Sequence, residues 1–440
     1  MSEKTQYFNK ELHVGDNAAT ATESSKDISD DSDVQRDRDV ARITQVDSLV
    51  WDGGFQAWST LLGAYVNSFG VYEVSEPTLV VGYQACAFLY ARVLSFTLSI
   101  ADKSWIGGVQ MFCLFSIGIF SGFAMDMGYF RHIMLLGSVM FVFCLFMISL
   151  SQPQQWYQLF LAQGIGLGLA IGAMYIPALG VVAHHFKRRR SLAMGIIASA
   201  SSLSGVVHPI MLNNLIHGNT GFRWAVRYSA FMNLGLLAIA NLIMRPRLPP
   251  RPSSLRHQLT IWRHFLSSPT FVWGTVGTFF LILGMFFPTF YLQLASVVKG
   301  VNPSLAFYSL SILNASSAFG RVVPNIAVDR VGVFTLIVPS TLACGVIILS
   351  LAGLVNAAGT IVIAILFGFF SGACISLLGP MLAGMSRDAS EIGPSIRPPI
   401  TGVLLTSHNV WIRPILFNGI AMCVGAAGLA YAGFLSKKRG

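Results

Sequence analysis

The heptapeptide Asp52-Gly53-Gly54-Phe55-Gln56-Ala57-Trp58 ends a polar N-terminal stretch and opens the first long apolar run of the chain, Phe55 to Tyr72. Phe55 and Trp58 are one helical turn apart, a spacing that suits aromatic side chains at a membrane interface. Asp52 stands before them, where a carboxylate caps a helix and complements the positive charge of its N-terminus. The heptapeptide therefore predicts the start of a first membrane-spanning helix.

The composition of the 440-residue chain is that of a multi-pass membrane protein. Hydrophobic residues make up 54% and charged residues only 11%, whereas soluble domains carry about 25% charged residues. The mean hydropathy is +0.63. The six cysteines lie in apolar segments without the spacing of metal ligands, so we expect them to pack between helices without disulfides. No metal or cofactor is expected.

Residues 1–50 differ in composition from the rest of the chain. They are rich in Ser, Asp and Thr and poor in large apolar side chains, which predicts a disordered tail. They also lack an apolar run, so no signal peptide is predicted, and the first span is expected to direct membrane insertion.

Apolar runs of about 20 residues are long enough to cross a bilayer as helices. They lie near residues 55–73, 105–125, 132–151, 156–182, 192–215, 224–244, 270–292, 304–326, 333–354, 358–384 and 414–436. The sixth and seventh are separated by a stretch rich in Pro, Arg and Ser, which predicts a linker between two halves. The predicted organisation is a cytoplasmic tail at 1–50, an N-terminal bundle at 51–244, a cytoplasmic linker at 245–269 and a C-terminal bundle at 270–440.

Basic residues predict the orientation in the membrane. They cluster at 187–190, in 245–263 and at 437–439, all on one side of the predicted spans. The positive-inside rule makes that side cytoplasmic and places both termini there, with the plasma membrane as the expected location. No basic patch with interleaved aromatics lies in a soluble segment, so no nucleic-acid partner is expected. The expected partners are lipid and a small organic solute, and the oligomeric state is left open.

Two loops of related sequence suggest an internal repeat. Gly122-x-x-x-Asp126-Met127-Gly128-Tyr129-Phe130-Arg131 follows the second span, and Asp329-Arg330-Val331-Gly332 follows the eighth. Each places an acid, a glycine and a base at the cytoplasmic end of corresponding helices. The two loops therefore indicate that the chain is built from two related halves.

A third motif joins the fourth and fifth spans. Tyr175-x-Pro177 lies in the fourth span, and His184-His185-Phe186-Lys187-Arg188-Arg189-Arg190-Ser191-Leu192-Ala193-Met194-Gly195 follows it. Both histidines abut the basic cluster and are expected at the membrane interface. The fifth span then has small residues at three- and four-residue spacing, which let a neighbouring helix approach closely: Gly195, Ala198, Ser199, Ser202 and Gly205.

Together these motifs resemble the monocarboxylate-transporter-like family of the major facilitator superfamily, in its fungal form. The residues that carry the likeness are Asp52, Gly53, Gly54, Trp58, Lys187, Arg188, Arg189 and Gly195, with the two loops. The resemblance implies an all-α fold of two six-helix bundles, nominally twelve membrane helices, and secondary active transport by alternating access. It also implies a cytoplasmic latch formed by Asp126, Gly128, Arg131, Asp329 and Arg330.

Arg321 is the main candidate for binding a solute, because a charge within a membrane helix is costly and usually functional. Ser311, Asn314, Ser317 and Arg321 are spaced by three, three and four residues, so they form one polar face that should turn to a water-filled cavity. A guanidinium there can grip a carboxylate at two points. Arg321 also matches the substrate-binding arginine that the resemblance implies. The alternative is that Arg321 lies near the cytoplasmic end and snorkels to water.

The chain departs from proton-coupled relatives at two positions. The resemblance implies an aspartate where this chain has Ser317, and a lysine at the outer end of the first helix, whereas none lies between Trp51 and Arg92. Proton coupling is therefore left open, and other organic anions or neutral solutes are also compatible. Asn67, Tyr175 and Tyr291 are further candidates for the cavity wall, with interhelical hydrogen bonding as the alternative.

Two segments do not fit a working transporter of this plan. Val74–Leu89 is predicted to be an inserted outer segment, with a re-entrant piece as the alternative. Before Thr401, where the eleventh helix is expected, prolines at 394, 398 and 399 leave that helix truncated. The rival to transport is a sensor-like, defective or mis-spliced facilitator. A membrane enzyme would need a catalytic cluster, and the sequence offers none, so no enzyme is predicted.

Overall fold

The computed structural model describes residues 53–72, 100–152, 155–186, 189–218, 220–247, 268–353, 356–385 and 412–439. These residues form helices and connecting turns, without strands. The helices of the first half are α1 (Phe55–Tyr72), α2 (Ile100–Asp126), α3 (Phe130–Leu150), α4 (Trp156–Leu159), α5 (Gly168–Ala183), α6 (Arg190–His217) and α7 (Gly221–Ile243). Those of the second half are α8 (Pro269–Val298), α9 (Pro303–Val331), α10 (Val333–Ser350), α11 (Ala357–Met385) and α12 (Ile412–Arg439).

These helices confirm the predicted spans and lie within a few residues of their expected bounds. By length and apolar composition, nine helices in the described part of the chain are able to cross a membrane. Neither α1 nor α9 is among the nine. The helix α9 has a low mean hydropathy because it carries Arg321, Asp329 and Arg330 with several serines and asparagines. Its polar face is buried against other helices, which supplies the apolar and hydrogen-bonding contacts that lipid would not.

Two separate hydrophobic cores hold the helices together. One is built from buried side chains between Ala57 and Met244, and the other from side chains between Leu281 and Leu429. In the first half α2 packs on α5, α1 on α7 and α3 on α7; in the second, α9 packs on α11, α8 on α12 and α10 on α12. The same pattern of neighbours therefore occurs twice, as two related bundles require.

The two related loops share a backbone conformation. Gly128, between α2 and α3, has φ +92°, and Gly332, between α9 and α10, has φ +87°. Glycine adopts this left-handed region without the steric penalty that a Cβ brings. The first loop reverses the chain in the three residues 127–129 and the second in the single residue Gly332, at equivalent places in the two halves.

The stretch between α4 and α5, Phe160–Leu167, is π-helical. Gly164 and Gly166 lie in this stretch, and Gly168 begins α5. A Cβ at Gly168 would stand 2.8 Å from the carbonyl oxygen of Gln110 on α2, and one at Gly166 would meet the Cys144 sulfur of α3 at 2.5 Å. Gly166 therefore packs the π-helical stretch closely against α3, and Gly168 packs α5 closely against α2. The five described cysteines are free thiols.

Several sequence predictions lie outside the described residues. These are the tail at 1–50, Asp52, the segment Val74–Leu89, Lys187, Arg188, most of the linker, and the truncated eleventh helix near residues 390–411.

Candidate functional site

The two halves meet where α6 lies along α9. Gly195 is so close to α9 that an added Cβ would be 2.6 Å from the Arg321 carbonyl oxygen. Two turns further on, Ser202 Oγ donates a hydrogen bond to Ser317 Oγ at 3.2 Å. At Gly205 the Asn314 amide donates to the glycine carbonyl at 3.4 Å. The small residues of α6 do let a neighbour approach closely, as predicted, and that neighbour belongs to the opposite half.

Arg321 lies inside this contact. Its side chain is 3% exposed, so it does not snorkel to water in this conformation. Its Nη1 donates to the Ala198 carbonyl oxygen at 2.7 Å and to Ser201 Oγ. The Ser201 hydroxyl itself donates to the Ala198 carbonyl at 2.8 Å. Arg321 of the second half is thus held by the backbone and a hydroxyl of the first half.

The charge of Arg321 has no carboxylate partner among the described residues. Across the described residues its only side-chain hydrogen bonds go to the two neutral oxygens on α6, and its buried Nε makes none. A guanidinium stays protonated in proteins. A buried charge without a counter-ion is costly, so the site is suited to an anion.

A cavity opens beside the guanidinium. Its wall combines the guanidinium with hydroxyl, amide, sulfur and apolar groups. The lining residues are Met285, Phe286, Thr289, Leu313, Asn314, Ser317, Arg321, Ser371 and Ile375. All of them come from α8, α9 and α11 of the second half. The volume is about 10 Å³, close to what one water molecule occupies, so the water-filled cavity expected along the polar face is nearly closed in this conformation.

A second buried amide fixes α9 one turn beyond Arg321. Asn325 Nδ2 donates to the Arg321 carbonyl oxygen and to Ser376 Oγ of α11, both at 2.8 Å. Asn325 is completely buried. These bonds hold α9 against α11, so the guanidinium projects from a helix anchored in its own half.

The predicted site residues separate into two groups. Asn314, Ser317 and Arg321 line one cavity together. Asn67, Tyr175 and Tyr291 do not line it. Asn67 is buried on α1, Tyr175 packs on the core of the first half, and Tyr291 lies in the core of the second half with its ring 5.2 Å from that of Phe287.

Three further side chains at the site were missed from the sequence, Ser201, Thr289 and Ser371. The fifth predicted span contains serines at 199, 201, 202 and 204, a density that is unusual for a lipid-facing helix. That density signals a polar contact, but it does not single out Ser201.

The first and third motifs meet in the structure. The Trp58 ring packs edge-on against Phe186, with ring centroids 5.6 Å apart. Next to Phe186, His185 is completely buried, where an interfacial position was expected. Its Nε2 lies 3.0 Å from the Arg245 carbonyl oxygen at the end of α7. Burial is the largest cause and lowers the pKa of His185; the hydrogen bond with the Arg245 carbonyl raises that pKa by less, and the nearby charge of Arg247 lowers it by the smallest amount.

The predicted latch residues lie at the ends of α2, α3 and α9. Arg131, Asp329 and Arg330 are exposed, and Asp126 is half-buried. Arg189, of the basic motif, is also exposed, and Gly195 forms part of the contact between the halves.

Residues 61–391 match the family model described as the Major Facilitator Superfamily. The chain belongs to the Major Facilitator Superfamily. Like other members of this superfamily, it is a multi-pass membrane transporter, and the prediction that it is no enzyme is confirmed.

Curated relatives extend the comparison. The chain is 34% identical to the aspyridones efflux protein apdF of Emericella nidulans over 397 residues, which cover 85% of this chain and 77% of that protein. It is 36% identical to the MFS-type transporter dbaD of the same organism over 85% of each chain. The agnestins efflux protein AgnL12 of Paecilomyces divaricatus is 33% identical over 87% of this chain and 86% of its own.

The fold has counterparts among solved structures. The superfamily transporter FucP, crystallised in the outward conformation, superposes with a TM-score of 0.62 over 84% of this chain and 97% of its own, at 14% identity. This likeness shows the superfamily fold that the motifs predicted.

Proposed function

We propose that this transporter carries organic anions and that Arg321 binds their acidic group. The supporting observation is the buried guanidinium without a carboxylate partner in the described residues, at the wall of a cavity. An anionic oxygen pair matches the fork of an arginine better than a carbonyl and a hydroxyl do. Monocarboxylates are one such class, as the sequence resemblance implies.

The cavity wall favours an anion with an apolar or aromatic body. Met285, Phe286, Leu313 and Ile375 offer an apolar surface beside the guanidinium. Methionine adapts its shape and makes favourable contacts with aromatic rings. Asn314 and the hydroxyls of Thr289, Ser317 and Ser371 add a few hydrogen bonds to orient such a body.

We infer export as the direction of transport. Two of the relatives named above are efflux proteins, one for aspyridones and one for agnestins. The contact of α6 with α9 runs from Gly195, near the basic cluster, to Gly205. On the positive-inside rule that end is cytoplasmic, so a solute bound at Arg321 would leave this conformation on the outer side, as the last step of export requires; the direction itself rests on the relatives.

Coupling of transport to protons is a further part of this proposal. Ser317 stands where the sequence resemblance implies a proton-carrying aspartate. A hydroxyl does not ionise in the physiological range. We therefore propose that solute binding at this position takes up no proton, so any coupling to protons would use another group.

Flux through the purified full chain in proteoliposomes tests the proposal. The probes are aromatic and aliphatic carboxylates, each paired with its neutral amide; hippurate and hippuramide are the reference pair. We expect flux of hippurate only, and a loss of at least about tenfold in Arg321→Gln, because a hydrogen-bonded charge is removed. Arg321→Lys keeps the charge but loses the two-pronged guanidinium, so its hippurate flux should lie between that of the wild type and that of Arg321→Gln.

Arg223→Gln is the matched control, because Arg223 is exposed at the start of α7. It should transport like the wild type. Hippurate flux that survives Arg321→Gln unchanged would sink the assignment of Arg321. A wild-type chain that moves neither acids nor amides would favour the rival, a facilitator without transport.

A further inference from the structure

We propose that Ser201 of α6 is a positioning residue for the anion site: with the Ala198 carbonyl it holds one nitrogen of Arg321, so that the opposite edge of the guanidinium receives the solute. This inference rests on the proposed anion site. It adds that the first half of the protein completes a site whose wall belongs to the second half.

The hydrogen bonds of Arg321 leave one edge of its guanidinium uncommitted. The group carries five N–H donors, one on Nε and two on each terminal nitrogen. Nη1 donates to the Ala198 carbonyl oxygen at 2.7 Å and to Ser201 Oγ, which accounts for both of its protons. Nε is buried without a partner, and Nη2 makes no hydrogen bond within the described part of the chain. The N–H of Nε and one N–H of Nη2 are parallel, so this edge is the one left for a two-point contact with a carboxylate.

The two α6 oxygens and the cavity approach the guanidinium from different helices. Ala198 and Ser201 belong to the first half, whereas the residues around the cavity come from α8, α9 and α11 of the second. A carboxylate on Nε and Nη2 therefore leaves both bonds of Nη1 intact. The α6 oxygens and the anion bind the same side chain together, each through its own donors.

Both α6 oxygens have fixed positions. The Ala198 carbonyl is part of the helix backbone, and Ser201 Oγ donates its proton to that carbonyl at 2.8 Å. The lone pairs of the Ser201 hydroxyl are then left to accept from Nη1. Ser201 is buried, so bulk water does not compete for this hydroxyl.

The backbone of Arg321 is anchored as well. Its carbonyl oxygen accepts from Asn325 Nδ2 at 2.8 Å, and the same nitrogen donates to Ser376 Oγ of α11. With the backbone held at one end and Nη1 at the other, the long side chain keeps little rotamer freedom. An anion that binds it loses less entropy than one that must first order a mobile arginine. Ser201 thereby raises the affinity for the anion without contacting it.

Ser201→Ala measures this contribution in the hippurate flux assay, with the full chain in proteoliposomes. Loss of the hydroxyl removes one bond to a charged group, so we expect the half-maximal hippurate concentration to rise about three- to tenfold. Ser201→Thr keeps the hydroxyl and should retain the wild-type value. Ser201→Cys offers a weaker acceptor and should also raise the concentration, which gives the same measurement if the alanine variant folds poorly.

Ser199→Ala is the matched control. It also removes a hydroxyl from α6, but one that bonds within the helix, to the Ile196 carbonyl at 2.7 Å. The half-maximal hippurate concentration of this variant should equal that of the wild type.

A double-mutant cycle with Arg321→Lys separates positioning of the arginine from general support of α6. The lysine ammonium is a point charge without an edge to orient. Ser201→Ala should therefore change the half-maximal concentration of the lysine variant by less than about twofold. If Ser201 only stabilised the packing of α6, the two substitutions would act independently, and the full rise would appear in both backgrounds.

The two proposals fail differently in these assays. If Arg321→Gln abolishes hippurate flux while Ser201→Ala behaves like Ser199→Ala, the anion site stands and the positioning role is wrong. A lower half-maximal concentration in Ser201→Ala, or an equal rise in both backgrounds, also overturns the positioning role. If hippurate flux survives Arg321→Gln, the anion site itself is wrong and this inference falls with it.

Discussion

Gly195 sets the distance between the halves at the Arg321 end of their contact. We expect Gly195→Ala to keep α6 and α9 apart, because the new methyl group would press on the backbone carbonyl of Arg321 at 2.6 Å. Backbone cannot swing aside as a flexible side chain can. Transport should fall severalfold while the amount of folded protein in the membrane stays near that of the wild type.

Gly235 provides the matched control for that substitution. It also lies within a helix, α7, but an added Cβ there meets nothing within 4 Å. Gly235→Ala should leave transport rates unchanged. Equal transport by the Gly195→Ala and Gly235→Ala variants would show that the close approach of α6 to α9 is not required.

His185 is expected to make the stability of the folded protein depend on pH. Its pKa in the folded protein is lowered, mainly by burial, so the folded state prefers the neutral ring while the unfolded chain binds a proton near pH 6.5. The stability that the neutral ring contributes is present above about pH 6.5 and is lost as the pH falls below it towards the folded value. His185→Gln keeps a donor for the Arg245 carbonyl and does not titrate.

Thermal unfolding in detergent at neutral and mildly acidic pH measures this response. The drop in the melting temperature on acidification should be smaller for His185→Gln than for the wild type. His132→Gln, which changes an exposed histidine, should leave the drop as it is. A His185→Gln variant as acid-sensitive as the wild type would contradict the assignment.

For single residues, the sequence singled out Arg321 as a candidate but did not predict which residues its side chain contacts. Arg321 was identifiable because a charge in an apolar span is rare and costly. Its partners were not, because Ala198 contributes only a backbone oxygen and Ser201 is one of several serines on α6. Asn67, Tyr175 and Tyr291 do not line the cavity beside Arg321 in this conformation, so their place in a solute site stays a prediction, with packing as the alternative.

Among the elements, α9 and α11 form the closest helix pair of the second half. Gly320 of α9 lies directly on the Phe369 carbonyl of α11, and Gly368 and Gly372 of α11 lie on the Leu313 and Ser317 carbonyls of α9. Such approach is possible only without side chains at these three positions. This packing positions the polar face of α9 towards α6.

Gly320→Ala should therefore destabilise the second bundle itself. Overpacking a tight contact typically costs about 1–3 kcal/mol, and the methyl group here would overlap a backbone carbonyl. We expect a lower yield of folded protein and a lower melting temperature by size-exclusion fluorescence. A normal yield with lost transport would instead assign Gly320 to the moving contact, the role given to Gly195.

Helix bounds followed from the sequence because each apolar run ends at polar residues, Pro or Gly. Asn302-Pro303 illustrates this, since the Asn302 side chain accepts from the Ser304 amide at 2.9 Å and Pro303 takes the first helical position. The π-helical stretch Phe160–Leu167 did not follow, because its wider turns depend on the packing of α2 and α3 and leave no mark in apolar periodicity.

For the whole molecule, the repeat in the loops predicted two related bundles, and the paired neighbours of the helices agree. What the sequence did not provide is which helices join the bundles. The stripe of small residues on α6 predicted a close neighbour, but only the folded chain identifies it as α9 of the other half. The spacing of small residues shows which face of a helix is closely packed. Which helix packs on that face depends on how the two bundles are assembled.

The charge of Arg321, which meets no carboxylate in the described part of the chain, also has an electrical consequence. With a monovalent anion bound, the positive charge at the site is cancelled, so the loaded protein reorients with almost no net charge there. The empty protein carries a full positive charge through the same step. A charge that crosses the membrane field changes in energy by about 2.3 kcal/mol per 100 mV. In the proposed export cycle, membrane voltage should therefore govern the return of the empty transporter and leave the outward step of the loaded one nearly untouched.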